Sequence, residues 1–159
     1  MKSLFRIVPL ALTCHVTVAG TPEKMTSAMK AISASQAGVR WDGSTFVEGD
    51  FNGDGTQDFA VVGYKEQGIV LAVRASSGRG RTYRNDFQPF GIGPSIQAAI
   101  CEAPAKLEVH EQFCNPMDEP LPGCRASKAA KSLNLSGGDC DSIHLFWNHK
   151  TNRMEWWRL

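Results

Sequence analysis

The chain has 159 residues, 42% of them hydrophobic and 21% charged, with a formal net charge of +1. That length suits one domain plus a leader, and the composition excludes a disordered chain and a bundle of membrane spans. A charge so near neutral gives no support to a nucleic-acid or acidic-surface partner.

Residues 1–19 read as a secretory signal peptide. Lys2 and Arg6 form a positive start, and an apolar stretch runs from Ile7 to Val18. Thr17 and Ala19 stand where a signal peptidase wants small residues. The stretch is broken by Pro9 and His15 and is too short to span a bilayer. Cys14 leaves a lipoprotein alternative open, although Thr13 before it is larger than such a site prefers. Cleavage after Ala19 would leave one domain, residues 20–159, with 15 Lys+Arg and 16 Asp+Glu. Its expected home is the periplasm or the exterior, unattached to a membrane once the leader is gone, and as a monomer.

Cysteine usage agrees with export. Cys101, Cys114, Cys124 and Cys140 remain in the mature chain, an even number suited to an oxidising compartment. Of the three pairings, Cys114–Cys124 across a proline-rich loop, with Cys101–Cys140 around it, is favoured. The spacings lack the close Cys-x-x-Cys pair of a zinc site.

Thr21-Pro22-Glu23 has the chemistry of a helix start, and Met25, Ala28, Met29 and Ile32 form one apolar stripe up to Ser35. Gly38 is the expected stop. Strands are predicted at 44–49, 58–64, 68–75 and 82–87. The second and third are apolar on both faces, which predicts a central position covered on both sides. Residues 95–101 are predicted as one or two helical turns, and 106–112 alternate as a half-buried strand. The cysteine loop up to Gly138 shows no periodicity. Strands at 142–147 and 153–158 flank a turn at 149–152, giving a C-terminal hairpin. The expected fold is α+β: an N-terminal helix packed on a mostly antiparallel sheet, with a disulfide-bound loop before the last hairpin.

One segment carries legible chemistry. Asp50-Phe51-Asn52-Gly53-Asp54-Gly55-Thr56-Gln57-Asp58 places side-chain oxygens at positions one, three, five and nine of a turn. A hard cation such as calcium (Ca2+) takes six to eight oxygens. Asp50, Asn52 and Asp54 can point inward from alternate positions, the Thr56 carbonyl can serve, and Asp58 can close the site. Converging carboxylates repel unless a cation sits between them. The loop departs from an EF-hand, with Val61 where a bidentate Glu would stand and a strand former following. It resembles instead the FG-GAP/VCBS loop of integrin-alpha-type propellers, matched over Gly49 to Val62 with Phe59-Ala60-Val61-Val62 as the strand. The motif occurs once, so the resemblance implies a structural calcium site in a single-copy domain rather than a propeller.

Other candidates are weaker. His110, Glu111, His144 and His149 lack recognised catalytic or ligand spacing. Arg74, Arg79, Arg81 and Arg84 suit a solvated hairpin as well as an anion site. Trp147, Trp156 and Trp157 alternate on the terminal hairpin, and an exposed aromatic there would suit a protein or glycan partner. The expected function is therefore an exported, non-enzymatic calcium-binding module recognising a protein or glycan. A secreted hydrolase using His110, Glu111 or His144, and an inhibitor or immunity-type protein, are the alternatives.

Overall fold

A computed structural model describes residues 22–77 and 82–159. The expected leader with Cys14, the Thr21 cap, Arg79 and Arg81 lie outside the described residues.

Three layers form the domain: one helix, a five-stranded sheet and a four-stranded sheet. The helix α1 is Pro22–Ser35. The first sheet holds β1 (Arg40–Gly49), β2 (Asp58–Tyr64), β3 (Ile69–Ser77), β4 (Thr82–Ile92) and β5 (Ala99–Ile100), paired in that order. All its pairs are antiparallel except the short parallel contact between β4 and β5. The second sheet is antiparallel, with β6 (Lys106–Glu111), β7 (Lys131–Ser136), β8 (Ile143–Asn148) and β9 (Arg153–Trp157) in order.

Side-chain alternation explains the stacking. Ala60 and Val62 on β2, with Leu71, Val73 and Ala75 on β3, face the second sheet. They meet Leu133, Leu135, Ile143, Leu145, Trp147 and Met154 in the main core. Val61 and Ala72 point the opposite way and pack under Ile32 of α1, flanked by Met29, Trp41, Phe46 and Phe87. Strands β2 and β3 are apolar on both faces because a helix covers one side and a sheet the other. Truncating Ile32 to Ala should cost about 3 kcal/mol, since its side chain is fully buried. Hydrogen exchange should then show α1 amides opening while those of β2 and β8 stay protected.

The two sheets also meet along their edges. Strand β1 packs beside β6. On the other side the Asp86 carboxylate of β4 accepts the Met154 N–H of β9 at 3.3 Å, and Gln88 donates to the Met154 carbonyl at 2.5 Å. Asp86 also pairs with Arg153 at 2.9 Å. Side chains of one edge thus satisfy backbone groups of the other, which blunts an edge open to further strand pairing.

Several expectations need correction. Residues 95–101 form no helix; they lead into β5, and the Gly91 N–H donates to the Ala98 carbonyl at 2.8 Å. The stretch before Gly138 contains β7, which pairs with both β6 and β8. The Cys114–Cys124 loop therefore falls between β6 and β7 rather than directly before the hairpin. Strand β1 begins at Arg40 because its register shifts between Asp42 and Val47. Thr45 bridges that bulge: its hydroxyl donates to the Asp42 carbonyl at 2.8 Å and accepts the Val62 N–H at 2.9 Å.

Cys101–Cys140 and Cys114–Cys124 are both disulfides, with Cα atoms 5.5 and 5.6 Å apart. Two such bridges belong to an oxidising environment of the extracellular or periplasmic kind. Among the described residues no helix is long and apolar enough to cross a membrane.

Candidate functional site

The 50–58 segment joins β1 to β2, and its wrapping follows from acceptors set close to amide donors. One carboxylate oxygen of Asp50 accepts the Gly53 and Asp54 N–H groups at 2.7 and 3.1 Å, and the other accepts Gly55 N–H at 2.9 Å. The Asn52 side-chain carbonyl accepts Asp54 N–H at 3.0 Å, and Asp54 accepts Thr56 N–H at 2.8 Å. Gly53 and Gly55 sit at φ 74° and 82°, in the left-handed region that such a turn requires and that glycine enters freely.

Strand β3 anchors this turn through Ser76. Its hydroxyl donates to Asp54 at 2.6 Å, while its carbonyl accepts the Asn52 amide at 2.8 Å. Burial tends to raise the Asp54 pKa, but hydrogen bonds from Ser76, Thr56 and Asn52 outweigh it and hold the carboxyl below its ordinary value.

Asp58 plays a different part from its neighbours. It is fully buried, and one oxygen accepts the Phe51 and Asn52 N–H groups at 2.9 and 3.2 Å. The other accepts Ser76 N–H at 2.7 Å. Burial pushes its pKa up to about 6 against the pull of these three amides. The carboxylate thus ties both ends of the turn to β3 from beneath. Asp50, Asn52 and Asp54 hold the turn from its outer side. Among the described residues, no group of three or more His, Cys, Asp and Glu side chains is arranged to hold a metal ion.

Beside the turn lies a cleft of about 390 Å3. Asn52 and Asp54 form one wall, with Ser76 and Ser77 at the end of β3. Arg84 of β4, Trp147 of β8, and His149 and Asn152 of the following turn complete it. The Arg84 guanidinium donates to the Asn152 carbonyl. Sequence spacing had no means of finding this cleft, because its walls come from segments up to a hundred residues apart.

The remaining candidates are dispersed. Glu108, Asn134, His144 and Trp157 form one cross-strand row on the outer face of the second sheet. His144 stacks on Trp157 with ring centroids 4.3 Å apart. His110 lies one row along on the same face, opposite Ser132, and Glu111 is exposed at the end of β6. Trp147 is buried in the core and Trp156 packs against it, so Trp157 alone of the three stands on the outer face. Arg74 lies over the Tyr83 ring at 4.9 Å and donates to Asn85 at 2.9 Å. The chain matches no family model, no curated protein and no solved structure.

Proposed function

We propose that the chain is an exported, non-enzymatic calcium-binding module whose turn at 50–58, of the FG-GAP/VCBS kind, is stiffened by the ion, and which recognises a protein or glycan. The observation that carries the reading is the outer donor set of that turn. Asp50, Asn52 and Asp54 crowd their side-chain oxygens onto one glycine-rich bend, anchored to β3 by Ser76. An all-oxygen set of this kind suits a hard divalent cation rather than a thiophilic one. One Asp50 oxygen already accepts two amides, but its other oxygen, the Asn52 carbonyl and both Asp54 oxygens accept one bond each and keep a lone pair. Asp50, Asn52, Asp54 and the Thr56 carbonyl are the residues that would hold the ion. Asp58 fits less well, because it is fully buried beneath the turn, where its oxygens bond the Phe51, Asn52 and Ser76 amides. When bound, calcium would neutralise the Asp50 and Asp54 charges and fix the turn against β3.

Extracellular modules bind calcium at about 10⁻⁴–10⁻³ M. Calcium at a hundred times Kd stabilises by about 2.7 kcal/mol. Thermal unfolding in calcium and in chelator should therefore give a higher Tm with the ion. Asp54→Asn, which keeps an acceptor for Thr56 but removes a charge, should abolish most of that shift, and Asp54→Ala all of it. A wild-type Tm indifferent to calcium sinks the reading, and a shift that survives both substitutions moves the ion elsewhere.

A further inference from the structure

We propose that the cleft beside the turn is a binding site for a neutral saccharide, of the size of one or two pyranose rings. This rests on the reading of the chain as a binding module but moves the ligand from the outer aromatic face of the terminal hairpin to the side of its turn. At about 390 Å3 the cleft falls in the range of small-ligand pockets. Its lining is chemically mixed in a particular way. Asp54 supplies a carboxylate, Arg84 a guanidinium, Asn52 and Asn152 side-chain amides, and His149 an imidazole.

The lining carries one charge of each sign, on Asp54 and Arg84. Among the described residues the ion pairs are Lys106–Glu108 and Arg153–Asp86, and neither Asp54 nor Arg84 belongs to one. With the turn free of calcium, a phosphate or other anion would be attracted by Arg84 and repelled by Asp54, and an ammonium group the reverse. Ligand hydroxyls escape this conflict, since each both donates and accepts. In the calcium-free turn a vicinal diol can donate to Asp54 and Asn52 while accepting from Arg84 and an asparagine amide. Trp147 lines the cleft but is only 3% exposed, too little to serve as a stacking face.

The walls are held in place before any ligand arrives. Ser76 fixes Asp54 at 2.6 Å. Arg84 is tethered to the Asn152 carbonyl, and Asn152 itself sits at φ 56° with its N–H donating to the Asn148 carbonyl at 2.7 Å. The His149 N–H donates to the Gly123 carbonyl at 2.9 Å, which pins the turn to the Cys114–Cys124 loop. Side chains already ordered lose little entropy on binding, which is how a shallow polar site gains useful affinity.

The test is NMR titration of the disulfide-bonded protein with glucose, galactose, mannose and N-acetylglucosamine, each to about 10 mM, tenfold above a millimolar Kd. Inorganic phosphate and acetate serve as anionic comparisons. At least one sugar should give saturable shifts in the Trp147 indole and the Asn52 and Asn152 side-chain amides. Arg84→Gln and His149→Ala should each weaken it at least about fivefold, with resonances in β2 and β7 unmoved. Sugar shifts absent from the cleft, or phosphate binding there in preference to every sugar, overturns the assignment. Running each titration in calcium and in chelator separates the two readings. A calcium-dependent Tm with no sugar bound removes the saccharide site alone, and sugar binding in chelator supports it without the ion.

Discussion

Asp58→Ala is expected to destabilise the domain by about 3 kcal/mol at pH 7, and by more as the pH falls. The substitution strips the buried amides of Phe51 and Ser76, and the half-buried amide of Asn52, of their acceptor at once. Each unsatisfied buried donor costs about 1–3 kcal/mol. Against that stands a relief: at neutral pH the wild type carries a buried charge, and alanine does not. The raised pKa gives the size of that relief. A folded value of about 6 above the ordinary value of 3.8 corresponds to about 3 kcal/mol. A carboxyl whose pKa is raised on folding contributes stability that is fully present below the unfolded value and is lost as the pH rises through the folded one. The difference in stability between wild type and Asp58→Ala should therefore grow between pH 7 and pH 4. Taking the difference removes the opposite trend from Asp42 and Asp54, whose carboxyls are held low by their hydrogen bonds. Urea unfolding in chelator, across that range, gives the answer without a cation's contribution. A difference that shrinks on acidification would show that the three amides outweigh burial and that Asp58 is held ionised.

The turn itself was legible from sequence because its chemistry is local. Asp50, Asn52 and Asp54 bond to amides within five residues of themselves, so spacing alone predicts the wrap. Ser76 was not legible. It reaches Asp54 and Asp58 only because β2 and β3 pair with Phe59 opposite Arg74, which lays the end of β3 along the turn. The same distinction runs through the fold. Helix α1, the strong runs of β2 and β3, and the terminal hairpin declare themselves by periodicity. Strand β7 holds only Leu133 and Leu135 as inward residues, between polar Ser132, Asn134 and Ser136, and two glycines follow it. That is too short a pattern to stand out. Apolar faces on β2 and β3 announce that something covers them on both sides, but not that a second sheet supplies one cover. Asp42-Gly43-Ser44 has turn chemistry, and the bond from Ser44 N–H to Asp42 at 3.0 Å is a turn-like bond. Strand β1 carries that turn as a bulge, patched by the Thr45 hydroxyl, so local propensity was right about the residues and wrong about the strand.

Removing the Cys101–Cys140 bridge, as the double Ser variant, should cost about 4 kcal/mol, and removing Cys114–Cys124 about 3 kcal/mol. The order follows from the chain each bridge closes, with sequence separations of 39 and 10. Longer closed loops forfeit more freedom in the unfolded state. Cys101 follows β5 of the first sheet and Cys140 precedes β8 of the second, so the longer bridge also staples the two sheets. The folded state keeps part of that junction without sulfur, since the Gly137 carbonyl accepts N–H bonds from Cys101 and Glu102 at 2.9 and 3.1 Å. Urea unfolding should accordingly show a larger m-value for the Cys101/Cys140 variant, as the unfolded chain expands. The reverse order of costs would mean that native packing of the short loop, not chain entropy, sets the balance. The shorter bridge has the more local consequence. Gly123, next to Cys124, accepts the His149 N–H and so braces one wall of the cleft. Loss of Cys114–Cys124 should loosen that wall and speed exchange of the His149 amide by more than the fall in protection of the β2 and β3 core. Loss of the longer bridge should lower protection throughout and by more, because it releases more freedom in the unfolded chain that every core amide must visit to exchange.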